Sequence, residues 1–443
     1  MRNDGAVDPR AIHSRSTGAE PPAIGCETGT PGVFSGFMRT HTRPARFVRA
    51  LQIGLAAATV LCFTLNADVA HSQDLRATVI ARQQAENANQ PKGQTSSGVR
   101  TTFIRIKNFL RIPRGVHPLF GSVYSGGGLT LGAGYRRYYG DNTFFDLNGL
   151  YSFKNYKLLE LSTASPVIPN RVTLQARAGW RDATQVAFYG IGPDTSVDDR
   201  TNFRLQNLYA GADAQMRPAF PLVLSAGLTY EDYSTKEGQG TYPSIETQWG
   251  PSDVPGLGAD PAVVHSLLSA GIDWRPAAGY ARSGGLYEVR YHNYLDPDDV
   301  YSFDRIDLEL VQHIPLIREK YVISLRGRAE TVLDDDTVPF FLLPSLGSGS
   351  TLRGYSSWRF RDLHSLLLQA EWRWVPNRHG LDMALFYDTG KVVNRRADLD
   401  LDGLMSNVGI GIRFHGPAAT PIRVELAHGD EGFNVVFAGS AAF

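Results

Sequence analysis

Leu368-Gln369-Ala370-Glu371-Trp372-Arg373-Trp374 alternates strictly between apolar and polar side chains. A β-strand turns successive residues to opposite faces. As a strand, this segment therefore has one greasy face ending in two tryptophans and one face bearing both signs of charge. The same two-residue period recurs elsewhere. Val172, Leu174, Ala176, Ala178 and Trp180 alternate with Thr173, Gln175 and Arg177. Ile306, Leu308 and Leu310 oppose Arg305, Asp307 and Glu309, and Ile422, Val424 and Leu426 oppose Arg423 and Glu425. In 323–330, Ser324, Arg326, Arg328 and Glu330 share one face. Period two over many short segments marks half-buried strands.

A soluble sandwich with its polar face in water would alternate in the same way, so other features have to decide. The composition is the first of them. Hydrophobic residues make up 42%, Lys+Arg and Asp+Glu are each 44, and there are 45 Gly, 22 Phe, 19 Tyr and 6 Trp. A helical membrane protein would be more apolar, whereas a membrane barrel need not be, because half of each strand faces water. Balanced charge points to no nucleic-acid partner.

The connections are the second feature. Sixteen strands are expected, centred near 122, 132, 148, 159, 176, 209, 227, 270, 290, 308, 325, 369, 385, 410, 425 and 438. Between them, short Pro- or Gly-rich turns (165–170, 217–221, 315–319, 376–380, 416–421) alternate with long segments (190–201, 233–263, 333–362). This two-beat rhythm suits an even-stranded barrel with short turns on one side of a membrane and long loops on the other.

The N-terminus is the third. Arg43, Arg46 and Arg49 precede the apolar run 50–65, which is followed by the small residues Ala70 and Ser72. The order of basic, apolar and small residues is that of a secretory signal peptide, and the run is short for a spanning helix of roughly 20 residues; a membrane anchor is the alternative. Residues 1–72 are therefore expected to be a signal peptide, with 1–37 an upstream extension because Met38 would start a signal of ordinary length. Residues 73–116 are expected to form a mostly disordered periplasmic lead, and 117–443 the barrel. Cys26 and Cys62, the two cysteines, both fall in the signal region, so the rest has no thiol chemistry. The expected fold is thus all-β, a transmembrane antiparallel barrel in a bacterial outer membrane.

The long segment 333–362, before the last five strands, contains Leu346-Gly347-Ser348-Gly349-Ser350-Thr351-Leu352-Arg353-Gly354-Tyr355, then Arg359-Phe360. This resembles the signature of the BamA/TamA outer-membrane protein family, the bacterial surface antigen family, whose hallmark is an aliphatic-Arg-Gly-aromatic tetrad in the sixth external loop. The likeness is densest over 339–443. Glu371 resembles the family's strand glutamate, and Ala384-Leu385-Phe386-Tyr387-Asp388-Thr389-Gly390 its Phe-x-Asp-x-Gly strand. The resemblance implies that the loop folds into the lumen, with Leu352, Arg353, Gly354 and Tyr355 as the motif. Glu371, Asp388 and Gly390 would be the lumen partners of the arginine. It also implies that the final alternating residues, with Phe433, Phe437 and the terminal Phe443, are the signal read by the barrel assembly machinery. Outer-membrane lipid, lipopolysaccharide and unfolded outer-membrane proteins are the partners it implies, and assembly, insertion or translocation the role. Insertases and translocases of the family carry POTRA domains ahead of the barrel, and residues 73–116 are too few for one. A passive pore or structural barrel is the alternative, with a surface esterase as a third possibility.

Other chemistry finds little support. There is no H-E-x-x-H and no G-x-S-x-G. His265, His292, His313, His379, His415 and His428 show no ligand spacing, so no metal or cofactor is expected. Gly126-Gly127-Gly128 lacks the Gly-Lys-Ser/Thr of a phosphate loop. Asp398-Leu399-Asp400-Leu401-Asp402-Gly403 opens like an EF-hand, but position twelve is Gly409 rather than Glu. It reads as an acidic external loop, as does Asp334-Asp335-Asp336.

Overall fold

The computed structural model describes residues 114–443, apart from 140–142, 318, 334–336, 376–379, 416–419, 421 and 440–441. The expected signal peptide, nearly all of the expected lead, and the Asp334–Asp336 run lie outside the described residues.

The first eleven strands are β1 (Gly115–Gly121), β2 (Thr130–Tyr138), β3 (Phe144–Ser152), β4 (Lys157–Ile168), β5 (Val172–Phe188), β6 (Thr201–Met216), β7 (Leu222–Glu237), β8 (Ala262–Asp273), β9 (Gly284–Leu295), β10 (Phe303–Leu316) and β11 (Tyr321–Val332). A two-stranded ribbon, β12 (Ser345–Leu346) with β13 (Phe360–Arg361), interrupts the series. It is followed by β14 (His364–Trp374), β15 (Leu381–Val393), β16 (Met405–Phe414), β17 (Ile422–Gly429) and β18 (Gly432–Ala438). All but β12 and β13 form one sixteen-stranded sheet in chain order, with every neighbour antiparallel. Each expected centre falls inside its strand except 122, which lies one residue past β1.

Alternation sorts the side chains. Trp372, Trp374, Leu385, Ile410, Val424 and Leu426 point outward and are exposed, whereas Glu371, Arg373, Asp388, Arg413, Arg423 and Glu425 are buried on the other side. A one-residue slip would reverse every one of them, and a cation left at the middle of the lipid face would cost about 2–4 kcal/mol. No helix among the described residues is long and apolar enough to cross a membrane. The strands supply the crossing.

Strand length varies with position round the sheet. β1 and β18 have 7 residues each, and β5 has 17. A tilted strand needs about 9–11 residues to span the hydrocarbon, so β5 continues beyond it. Its last residues, with the start of β6, are buried in an apolar cluster of Phe188, Phe203, Ile245, Val254, Phe340 and Phe341 at the long-loop end. Phe340 meets Phe203 and Phe188 edge-on, with ring centroids at 4.7 and 5.3 Å. The long loops are therefore not simply polar tethers. They form a packed cap.

The C-terminus departs from expectation. Phe433 and Phe437 face outward, 74% and 72% exposed. However, β18 ends at Ala438, and Phe443 is not on the strand. Its ring lies 6.3 Å from His313 and 6.0 Å from the Arg326 guanidinium, both inward-facing groups. The alternation through Phe433 and Phe437 therefore does not extend to Phe443.

Candidate functional site

The loop between β11 and β14 first packs Phe340 and Phe341 into the cap, then forms the β12–β13 ribbon. The segment from Gly347 to Arg359 descends between the two ribbon strands. Gly347 permits the turn: its φ is +97°, and a Cβ there would lie 2.3 Å from the Ser356 carbonyl oxygen. Below it, Leu352, Tyr355 and Phe360 pack with Leu346, Leu367 and Val392. This apolar contact fixes the height at which Arg353 meets the wall.

Arg353 has no solvent exposure. Its Nε donates to Asp388 Oδ2 at 2.8 Å and its Nη2 to Asp388 Oδ1 at 2.6 Å, a two-pronged pair. Its Nη1 donates to Glu371 Oε2 at 3.1 Å and to Glu425 Oε1 at 3.2 Å, and its backbone N–H donates to Asp388 Oδ2 at 3.2 Å. The Phe386 ring lies 3.5 Å from its guanidinium carbon. Charge-assisted, bidentate bonds are the strong kind, and only the planar guanidinium fork can make them in this arrangement.

A second layer holds the carboxylates. Gln369 Nε2 and Asn407 Nδ2 each donate to Asp388 at 3.0 Å. Arg413 bridges Glu371 and Glu425, and Arg423 donates to Glu425 Oε2 at 3.0 Å. Strand register makes this possible. Gln369, Asp388 and Asn407 are direct neighbours across β14, β15 and β16, and Arg413 lies opposite Arg423. Gly354 leaves no room for a side chain, since a Cβ would be 2.5 Å from Asn407 Cβ. Tyr355 reaches across to donate to Asp430 Oδ2 and to the Ser406 carbonyl oxygen.

Of the expected partners, Glu371 and Asp388 meet Arg353. Gly390 does not. It supplies space instead, because a Cβ there would lie 2.5 Å from the Leu366 carbonyl oxygen and 3.1 Å from Leu346 Cδ1. Glu425, Arg413, Arg423, Gln369 and Asn407 were missed as site residues. Alternation put Arg423 and Glu425 on the inward face, but a strand read alone does not tell which distant loop residue its face will meet.

Two further groups lie apart from this site. In the EF-hand-like stretch, the Lys391 ammonium bonds the Asp400 carboxylate and donates to the Asp402 carbonyl oxygen at 2.9 Å. A side-chain cation thus sits against the groups a metal would need. His265 Nε2 lies 2.9 Å from His292 Nδ1, with Glu231 and Asp307 beyond them at 3.6 and 3.3 Å. Among the described residues no group of three or more His, Cys, Asp or Glu is placed to hold a metal ion.

Comparison with known proteins adds family and fold. The Omp85 superfamily domain matches residues 138–437. Among solved structures, the chain is similar to BamA from Haemophilus ducreyi lacking POTRA domains 1–3, at 15% identity and a TM-score of 0.55, covering 74% of this chain and 70% of that one. It is also similar to CdiB from Escherichia coli, at 11% identity and a TM-score of 0.50, over 74% of this chain and 62% of that one. At these identities the two likenesses speak to the fold alone. No curated protein sequence matches the chain.

Proposed function

The chain belongs to the Omp85 superfamily, and from that premise we propose that it helps insert or translocate outer-membrane polypeptides at the junction of its first and last strands. It is a bacterial outer-membrane barrel. The observation that carries the proposal is the open end of the ladder. β1 pairs with β2 and β18 with β17, and these two seven-residue strands stand at opposite ends of the strand order with no pairing to each other among the described residues. Unpaired backbone groups are costly in lipid, and a free edge is a template for another strand. An incoming polypeptide in extended form could satisfy both edges.

The alternative, a passive pore, fits less well with the apolar cap, where Phe188, Phe203, Phe340 and Phe341 pack together at the long-loop end. Two measurements separate the readings. Liposomes carrying the barrel should speed the folding of a urea-denatured eight-stranded outer-membrane barrel relative to empty liposomes. Cross-linking cysteines placed at Val116 on β1 and Val435 on β18 should abolish that gain. Equal folding rates with and without the barrel would sink the proposal. A large, steady single-channel conductance in planar bilayers would favour the pore.

A further inference from the structure

Two adjacent residues of the inward loop reach the two opposite ends of the sheet. The Trp358 indole stacks on Tyr124 with centroids 4.9 Å apart and planes at 21°, and its Nε1 donates to the Ser125 carbonyl oxygen at 2.9 Å. Tyr124 and Ser125 lie in the connection between β1 and β2. The next residue, Arg359, turns the other way. Its Nε donates to Glu431 Oε1 at 2.6 Å, and Glu431 lies in the turn between β17 and β18. The Arg359 guanidinium is further braced by Thr195 of the β5–β6 loop, whose side-chain oxygen accepts from Nη1 at 2.7 Å.

The backbone here is strained. Trp358 has φ +65°, the left-handed region, which a bulky residue seldom adopts. Such a conformation persists only where its surroundings over-determine it. Here they do: the Trp358 N–H donates to the Gly347 carbonyl oxygen at 2.7 Å, Arg361 lies 5.0 Å from the indole, and both neighbouring side chains are held at opposite hairpins. The same loop grips the last strand again lower down, where Asn434 Nδ2 of β18 donates to the Arg353 carbonyl oxygen at 2.8 Å.

We propose that Trp358 and Arg359 form a clasp that holds the two unpaired end strands, β1 and β18, near each other. In place of a ladder of backbone bonds, the two sheet ends are tied through side chains of a loop fixed at Arg353. A tie of two side chains can be released and remade without unzipping a strand pair. This deepens the function proposed above, and its bearing on polypeptide insertion rests on that reading; the clasp itself is tested by distance alone.

The test places nitroxide labels on Val116→Cys and Val435→Cys in the full chain, with Cys26 and Cys62 replaced by serine, and measures their separation by pulsed dipolar spectroscopy in detergent. Both sites point outward and are exposed. In Trp358→Gly/Arg359→Ala the distance should broaden and lengthen by roughly one strand spacing, ~4.8 Å. Glycine accepts the left-handed backbone, so the first change does not itself strain the loop. Trp358→Phe/Arg359→Lys, which retains a ring and a charge, should keep the wild-type distance. An unchanged distance in the Gly/Ala variant, in a barrel that still shows the heat-dependent gel shift of a folded one, overturns the clasp. Should that variant not fold, Arg359→Ala alone is read in the same way, and an unchanged distance again overturns it. If the distance responds as expected but liposomes still give no folding gain, the clasp stands and the proposed function falls.

Discussion

Arg353 and Arg361 belong to one connection, the first on its inward segment and the second on β13, and both are fully buried. Arg353 faces Asp388, Glu371 and Glu425. Arg361 faces no carboxylate among the described residues: its Nη2 donates to the Ala187 carbonyl oxygen at 3.0 Å, its Nη1 to that of Phe340 at 3.3 Å, and Phe188, Phe203 and Trp358 surround it. Burial without a counter-charge pushes the Arg361 guanidinium down to about 10. The contrast separates two ways of holding a loop. In the lumen the anchor is charge, arranged by strand register. In the cap it is aromatic packing, and the cation is a passenger whose charge the fold tolerates.

The largest expected effect follows from breaking the charged anchor. Arg353→Ala leaves Asp388 without its two-pronged partner, and loss of one member of a buried ion pair typically costs about 3–5 kcal/mol. The barrel should lose its heat-dependent gel shift at a lower temperature, and limited proteolysis should cut the 333–362 segment. Unchanged cleavage would mean that the pair does not hold the loop. A smaller effect is expected at Gly354→Ala. The new methyl would meet Asn407 Cβ at 2.5 Å and push on the side chain that steadies Asp388, an overpacking cost of about 1–3 kcal/mol. Because Arg353 remains in place, cleavage of the loop should rise less than in Arg353→Ala; a larger rise would show that backbone approach, rather than charge, sets the anchor.

The same contrast explains what could be read from the sequence. Period two is a local property, so strands such as β14 and β17 were legible, and with them the inward face of Glu371, Asp388 and Glu425. The tetrad Leu352–Tyr355 and its two nearest acids came from resemblance, and the superfamily match covers those residues. The pairing of Arg353 with Glu425 was not legible, since it depends on how four neighbouring strands bring 353 and 425 to one point. The cap left no periodic signal at all. Ile245, Phe340 and Phe341 sit in three-residue 3-10 turns and Val254 in a loop, too short for any repeat to show, and the segments around them read as long polar or glycine-rich connections. Phe443 shows the converse failure, an alternation extended past Ala438, where no ladder remains to enforce it.

Arg361→Met provides the smallest and sharpest test of the comparison. The change removes two hydrogen bonds to carbonyl oxygens, each worth about 0.5–1.5 kcal/mol net, together with cation–π contacts worth up to about 2 kcal/mol when desolvated. Against this, it relieves the burial of an uncompensated charge, and replacing buried ionic groups by apolar ones of similar volume is often neutral or stabilising. Methionine also places a polarisable sulfur among the same rings, a favourable contact. These opposing contributions should leave the unfolding free energy from urea titration within about 1 kcal/mol of wild type, the balance expected when transfer and bonding nearly cancel. Arg353→Met, made in parallel, keeps similar volume yet leaves Asp388 without its cation, while Glu371 and Glu425 retain Arg413, and its loss of stability should be several-fold larger. If the two substitutions cost the same, the charge of Arg361 is as necessary as that of Arg353, and the division between a charged anchor and an aromatic one is wrong.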